Sequence, residues 1–322
     1  MSERIVVTGA AGFIGSHLCE RLVAAGHDVV GLDNFDPFYA RAVKERNLAA
    51  LRGASRFRFA EGDVVKDALP LDGAAAVIHL AARPGVRPSL EDPAGYCEAN
   101  VTGTARVLDQ VRRAGIERVV FGSSSSVYGV GTPAPFAEDA VAATPISPYA
   151  ASKRAGELLA HAFAHLYGTR IACLRFFTVY GPRQRPDLAI HRMTALARRG
   201  EPVRMFGDGS SERDYTYITD CVDGIVAALG WTARRDGGGE ARAFNIGGGS
   251  RLRLDRLIEL IGRTVGRPVR LEHHPDQPGD VPLTAADLRR SGAELGYRPA
   301  VGIEEGLRRF VDWYEETHGR QS

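Results

Sequence analysis

The chain has 322 residues, with 41 Lys+Arg against 39 Asp+Glu, a formal net charge of +2, and 44% hydrophobic residues. It is long enough to bury a large core as one unit of two lobes. It is too evenly charged to carry a nucleic-acid stripe, since Arg112-Arg113, Arg198-Arg199, Arg234-Arg235 and Arg289-Arg290 are dispersed and read as solvated helix faces and turns. Cys19, Cys97, Cys173 and Cys221 show no paired spacing. Residue 4 already enters an apolar strand, which leaves no room for a leader, and no apolar run approaches the ~18 residues of a membrane span. A reduced, cytoplasmic setting is expected. Neither His273 nor His274 has a partner at H-x-x-x-H or C-x-x-H spacing, and no metal is expected.

The first element is Ile5-Val6-Val7-Thr8, which runs into Gly9-Ala10-Ala11-Gly12-Phe13-Ile14-Gly15 and then His17 to Val23: strand, glycine turn, helix. The first glycine permits the turn and the second lets backbone approach a pyrophosphate. The third lets helix close on strand, so that the helix amides face the phosphates. A second apolar strand, Val29 to Leu32, ends in Asp33. A carboxylate there accepts hydrogen bonds from an adenosine ribose and repels the extra phosphate of NADP. The pattern predicts an NAD site.

Short apolar runs then alternate with helical periodicity. Val77-Ile78-His79-Leu80 reads as a strand, Asp92 to Arg113 as a helix, Arg118 to Phe121 as a strand, Ser147 to Leu166 as a helix, and Arg170 to Phe176 as a strand. This alternation predicts an α/β fold with a doubly wound, Rossmann-type parallel sheet. Ligands bind beyond the carboxyl ends of such strands, so Gly62-Asp63-Val64, Leu80-Ala81-Ala82 and Ser123-Ser124 should crowd one crevice. Residues 1–177 read as the NAD-binding domain, to which the chain returns at about 214–246 through Phe244-Asn245-Ile246. Beyond 177, Pro182, Pro186, Gly207 and Gly209 punctuate shorter elements, and 178–322 read mainly as a smaller C-terminal substrate-binding lobe. Arg234 to Glu240, with three glycines, reads as a flexible surface loop.

Tyr149-Ala150-Ala151-Ser152-Lys153 places a phenol and an ammonium four apart on one helix face. A phenol near its ordinary pKa of ~10 is a poor base at neutral pH. A neighbouring Lys and a cationic nicotinamide ring would favour phenolate, and reaching ~7 takes about 4 kcal/mol of such help. The run Ser123-Ser124-Ser125-Ser126-Val127-Tyr128-Gly129 lies upstream.

Over nearly its whole length the chain resembles the extended short-chain dehydrogenases, the NAD-dependent nucleotide-sugar epimerases and dehydratases. The residues that carry the resemblance are Gly9-x-x-Gly12-x-x-Gly15, Asp63-Val64, His79-Leu80-Ala81-Ala82, Asn100-Val101-x-Gly103-Thr104, Tyr149-x-x-x-Lys153 and Arg213-Asp214-Tyr215-x-Tyr217-Ile218. It implies a tightly held NAD, with Asp63-Val64 near adenine and Tyr149 and Lys153 touching the nicotinamide ribose. The remaining cofactor contacts would come from Phe13, Ile14, Asp33, Asn34, Leu80, Ala81, Ala82, Asn100, Ser123 and Phe176. Ser124 would hydrogen-bond the sugar hydroxyl whose proton Tyr149 removes, with Lys153 completing the catalytic set.

Dehydratases of this family carry an acid and a base just before Val127-Tyr128-Gly129, and decarboxylating relatives carry a Glu; here Ser125 and Ser126 stand in those places. The resemblance therefore implies reversible oxidation at carbon 4 through a 4-keto sugar, ending in the epimer. At Thr178, galactose-type epimerases have an Asn-Pro variant. Ser125, Ser126 and Thr178 would give three hydroxyls for a carboxylate at carbon 6, and this resembles the UDP-glucuronate 4-epimerases. Arg185, Arg213 and Asp280 fall to the nucleotide end, Arg87 to the sugar or the surface, and Leu188 to Leu196 to the uridine pocket. The alternatives are a UDP-glucose or UDP-N-acetylglucosamine 4-epimerase and, more remotely, an NAD-sensing binding protein. Relatives dimerise through the helix before Ser123 and the helix bearing Tyr149, and Leu158, Leu159, Ala162 and Phe163 suit a homodimer of that kind.

Overall fold

The computed structural model describes residues 2–140, 142, 144–234, 238–275 and 281–319. The first half contains β1 (Arg4–Thr8), α1 (Phe13–Ala24), β2 (Asp28–Asp33), α2 (Arg41–Asn47), β3 (Phe57–Glu61), β4 (Ala76–His79), α3 (Val86–Glu91), α4 (Pro93–Cys97), α5 (Gly103–Arg113), β5 (Arg118–Ser124), α6 (Pro148–Tyr167) and β6 (Arg170–Phe176). Then come β7 (Thr178–Tyr180), α7 (Ala189–Arg199), β8 (Val203–Phe206), β9 (Glu212–Tyr217), α8 (Ile218–Thr232), β10 (Ala241–Ile246), β11 (Arg251–Arg253), α9 (Leu254–Val265), β12 (Leu271–His274) and α10 (Ile303–His318).

Seven parallel strands form the main sheet in the order β3-β2-β1-β4-β5-β6-β10. The order reverses direction between β1 and β4, which opens a crevice above their carboxyl ends. The inner strands are largely apolar because helices cover both faces, whereas the edge strand β3 is partly exposed and carries Arg58 and Glu61. Successive residues of β1 go to opposite cores: Ile5 and Val7 pack with Leu18 and Leu22 of α1 and Ile225 of α8, and Val6 packs with Val107 and Val111 of α5 and Ala160 of α6. Each fully buried Ile or Leu contributes about 1.5–3 kcal/mol.

The helix expected over 92–113 is interrupted. Asp92 caps α4 by accepting from the Gly95 amide at 2.9 Å, and a π-helical turn, Glu98–Thr102, joins α4 to α5. The return to the main sheet starts at α8, because residues 212–217 form β9 of a second sheet, ordered β11-β9-β7. A third, two-stranded sheet pairs β8 with β12. Buried Asp214 of β9 accepts from the Gly248 amide at 2.6 Å and the Ala286 amide at 3.1 Å, tying the end of β10 to the last part of the chain. No helix among the described residues is long and apolar enough to cross a membrane.

Candidate active site

The glycine turn is shaped by close contacts. Gly9 has φ +73°, and a Cβ there would lie 2.8 Å from the Ala81 nitrogen; a Cβ on Gly15 would lie 2.1 Å from the Gly9 carbonyl oxygen. Only hydrogen fits at either position. The turn opens onto a cleft of about 650 Å³, lined from β1, β2, β4, β5 and β6 and roofed by residues 176–188. Gly9, Gly12, Phe13, Ile14, Gly15, Asp33, Asn34, Asp63, Val64, Leu80, Ala81, Ala82, Ser123 and Phe176 all line it. Asp33 is buried; its Oδ2 accepts from the Ala11 amide at 3.1 Å and its Oδ1 from the Phe35 amide at 2.8 Å. Asn34 donates to Asp63 at 3.1 Å.

α6 brings in the phenol. Ser147 caps the helix by accepting from the Ala150 amide at 3.1 Å, and Pro148 fixes the first helical position. Tyr149 therefore sits on the first turn, with Lys153 one turn further on. Ser124, the last residue of β5, stands beside the Tyr149 phenol and favours its ionised form, and its Oγ lies 3.0 Å from Ser126 Oγ. Lys153 is buried and donates from Nζ to the Gly122 carbonyl at 2.8 Å.

The electrostatic balance differs from the sequence expectation. Tyr149 is half-buried, yet the protein packed around its ring pushes the phenol above its ordinary value. The neighbouring Ser124 hydroxyl and the Arg185 charge offset part of that rise. Burial brings Lys153 down to about 8, and its hydrogen bond goes to β5 rather than to the phenol. The side chains alone therefore hold Tyr149 protonated, and a positive charge on a bound group has to supply the remaining shift.

Ser125, Ser126, Thr178 and Arg185 line the same cleft. Arg185 is held in a bidentate pair with Asp187 (2.9 and 2.8 Å). Its charge acts on Tyr149 as well as on Tyr96 and Tyr39. Arg87 is not among the lining residues; its guanidinium lies 5.3 Å from the Phe206 ring centroid. Arg213, on β9, is also outside the lining and donates to the Glu212 carbonyl at 2.9 Å. Asn100 sits behind the wall, joining the Arg83 backbone (2.7 and 3.0 Å) to Ser152 Oγ (2.9 Å). Leu188 lines the cleft, but Ile190 and Met193 belong to the core. Asp280 lies outside the described residues.

Three lining residues escaped sequence reasoning. Lys44 is buried with Nζ 3.5 Å from Asp33 and 5.1 Å from the Tyr39 ring centroid. Arg83 donates to Asp36 (3.3 Å) and Asp92 (2.7 Å). Tyr39 lines the cleft, and its hydroxyl is buried with no hydrogen-bond partner. An orphaned hydroxyl of this kind costs stability unless a bound group satisfies it. The phosphates or hydroxyls of a dinucleotide would do so beside a glycine turn that leaves no room for Cβ, and the donor set fits NAD. The remaining signal in the sequence was Phe38-Tyr39 and Lys44 following Asp33, but nothing local shows that this segment folds back over the cleft.

The family described as "NAD dependent epimerase/dehydratase family" matches residues 5–247. A probable UDP-glucuronate 4-epimerase of Rhizobium meliloti is 39% identical over 98% of each chain. A UDP-glucuronate 4-epimerase of Thermodesulfobacterium geofontis is 39% identical over 97% of this chain and 96% of its own. Among solved structures, the UDP-glucuronic acid 4-epimerase of Bacillus cereus in complex with UDP-glucuronic acid and NAD superposes with a TM-score of 0.92 at 36% identity, covering 98% of this chain and 99% of that one. With its glycine turn, its Ser124-Tyr149-Lys153 cluster and these relatives, the chain belongs to the NAD-dependent epimerase/dehydratase family.

Proposed function

We propose that this protein is an isomerase that interconverts UDP-glucuronate and UDP-galacturonate at carbon 4. The observation that carries the reading is the set of three hydroxyls, Ser125, Ser126 and Thr178, lining one cleft with Ser124, Tyr149 and Lys153. Relatives that match over nearly the whole chain are named for this reaction.

NAD, when bound, supplies the acceptance and return of hydride at one ring carbon. Gly9, Gly12 and Gly15 would cradle its pyrophosphate, Asp33 and Lys44 the adenosine ribose, and Asp63 and Val64 the adenine side. The Tyr39 hydroxyl would add a donor. Tyr149 Oη holds and moves the proton of the 4-hydroxyl, and Ser124 Oγ, beside the phenol in the same cleft, bridges that hydroxyl and the phenol. Lys153 fixes Tyr149's helix to β5 through the Gly122 carbonyl.

The three hydroxyls are short donors suited to a carboxylate. A ketone at carbon 4 makes the uronate a β-keto acid, prone to lose carbon dioxide. Holding the carboxylate charged and out of line with the ketone suppresses that loss. Water elimination finds no acid–base pair, because serines occupy those places.

Residues 1–177 with the return strand form the NAD-binding part, and the rest mainly holds the sugar nucleotide. The protein works as a cytoplasmic homodimer through α5 and α6, whose outer face carries exposed Leu158, Leu166 and Tyr167. The deciding experiment is to incubate the protein as isolated, without added NAD, with UDP-glucuronate and follow the products by proton NMR. UDP-galacturonate without pentose is expected. A UDP-pentose would mean decarboxylation, and turnover of UDP-glucose or its N-acetylamino analogue alone would move the assignment to neutral sugars.

A further inference from the structure

Behind Ser124 and Tyr149 lies a second polar cluster, in which Ser123, Glu157 and Arg175 are buried and Arg154 is half-buried. Glu157 stands on α6 one turn beyond Lys153 and two turns beyond Tyr149. Its carboxylate receives four hydrogen bonds from three elements. Ser123 Oγ at the end of β5 donates to Oε1 at 2.6 Å, and Arg175 near the end of β6 donates from Nε to Oε1 and from Nη2 to Oε2, both at 2.9 Å. Arg154 on α6 itself donates to Oε2 at 2.8 Å. Glu157 is 6% exposed and Arg175 3%. A carboxylate has about four acceptor sites, so all are used.

The partners of Glu157 are neighbours of the chemistry. Ser123 precedes Ser124, and Arg175 precedes Phe176, which lines the cleft. Ser123 and Arg175 are directly paired across β5 and β6, as are Ser124 and Phe176. The helix–sheet approach is also unusually close here: a Cβ on Gly156 would lie 2.4 Å from the Phe121 ring. With no bulk between α6 and β5, the two elements rest against each other, and directional bonds at 157 fix how far α6 slides along the strand ends. That slide is the coordinate on which Ser124 meets Tyr149 and Lys153 meets the Gly122 carbonyl.

We propose that Glu157 is a positioning residue for proton transfer, locking α6 to the ends of β5 and β6 so that Tyr149 Oη is held against Ser124 Oγ. The inference rests on the epimerase reading above. Glu157→Gln is a sharp probe, because it replaces one acceptor oxygen by a donor that must face a guanidinium or the Ser123 hydroxyl. A displacement of about 1 Å is enough to cost on the order of 100-fold in rate.

The test compares wild type, Glu157→Gln, Ser123→Ala and the double variant by steady-state kinetics on UDP-glucuronate across pH, with bound NAD per chain and melting temperature measured in parallel. Glu157→Gln should lower kcat by about 10- to 100-fold with KM changed less than about threefold and bound NAD unchanged. The acid limb of kcat should move to higher pH, because a displaced Ser124 hydroxyl no longer favours the phenolate. Ser123→Ala, a smaller perturbation, should act in the same sense, and the double variant should be no slower than Glu157→Gln alone. If Glu157→Gln does not fold, Ser123→Ala decides by the same readouts. A lowered melting temperature with wild-type kcat and pH profile would show a merely structural clamp and overturn the proposal, as would a KM rise as large as the kcat loss. Absence of wild-type turnover would sink the epimerase reading itself, a result separate from either.

Discussion

Thr178 opens β7, the strand that begins two residues after β6 ends, and its hydroxyl is one of three that line the cleft. Valine copies its shape without the hydroxyl. Losing one hydrogen bond to a charged group costs about 1.5–3 kcal/mol, so Thr178→Val should raise KM for UDP-glucuronate by about tenfold or more while changing that for UDP-glucose less than about threefold. Equal weakening of both in steady-state assays would remove the carboxylate assignment. At this scale the sequence is readable wherever chemistry is local: the glycine turn, Ser124 beside Ser126, and Tyr149 with Lys153 are set by spacing along one element. Glu157 follows Lys153 at the same four-residue interval, so the helix period alone could have flagged it. Tyr39 and Lys44 could not be found that way, since only the tertiary fold brings them over Asp33. The direction of the Tyr149 shift was also out of reach, because it is set by how tightly unrelated segments crowd the ring.

Among the elements, α6 works on two sides. Its inner face carries Lys153 and Glu157, while Leu158, Leu166 and Tyr167 on its outer face are exposed to 56%, 65% and 46%. Tyr167 stacks edge-on with Phe163 at 5.1 Å, and Arg112 of α5 lies 4.9 Å from the Tyr167 centroid, so the outer sides of α5 and α6 form one continuous surface. For the homodimer proposed above, Leu158→Asp should yield a monomer in analytical ultracentrifugation, with the melting temperature of the monomer little changed. A wild-type protein that sediments as a monomer at micromolar concentration would refute the homodimer. Long elements with clear periods, such as α6, β5 and β6, are legible to within a few residues. The π-helical turn at Glu98–Thr102 is not, because it depends on Asn100 reaching Arg83 and Ser152. Nor is the β11-β9-β7 sheet, built partly from three-residue strands far apart in the chain.

For the molecule as a whole, stability should depend on pH through groups buried in their neutral form. His79 at the end of β4 is 2% exposed, between Thr8 Oγ1 (2.8 Å) and Thr104 Oγ1 (3.1 Å). Burial, aided by the Lys153 charge, lowers its pKa to about 3. Between about pH 3 and 6.5 the unfolded chain therefore binds a proton that the folded one refuses. Stability is unaffected by this group above 6.5 and falls below it, by about 3 kcal/mol at pH 4. Denaturant titrations at pH 7 and 4.5 should show this loss, and His79→Gln should flatten the slope by about one proton; an unchanged slope would exonerate His79. The doubly wound plan was legible because both-sided burial leaves unbroken apolar strands, and the return near Phe244 was legible for the same reason. The return has a consequence for inheritance. Because β10 completes the edge beside β6 only after the chain has built β7, β8 and β9 elsewhere, neither half is a contiguous module. A gene cut at codon 177 would yield a sheet with β6 bare at its edge, open to pairing with other chains. New sugar specificity must then arise by point substitution or loop insertion within the intact chain, and not by exchanging one lobe for another.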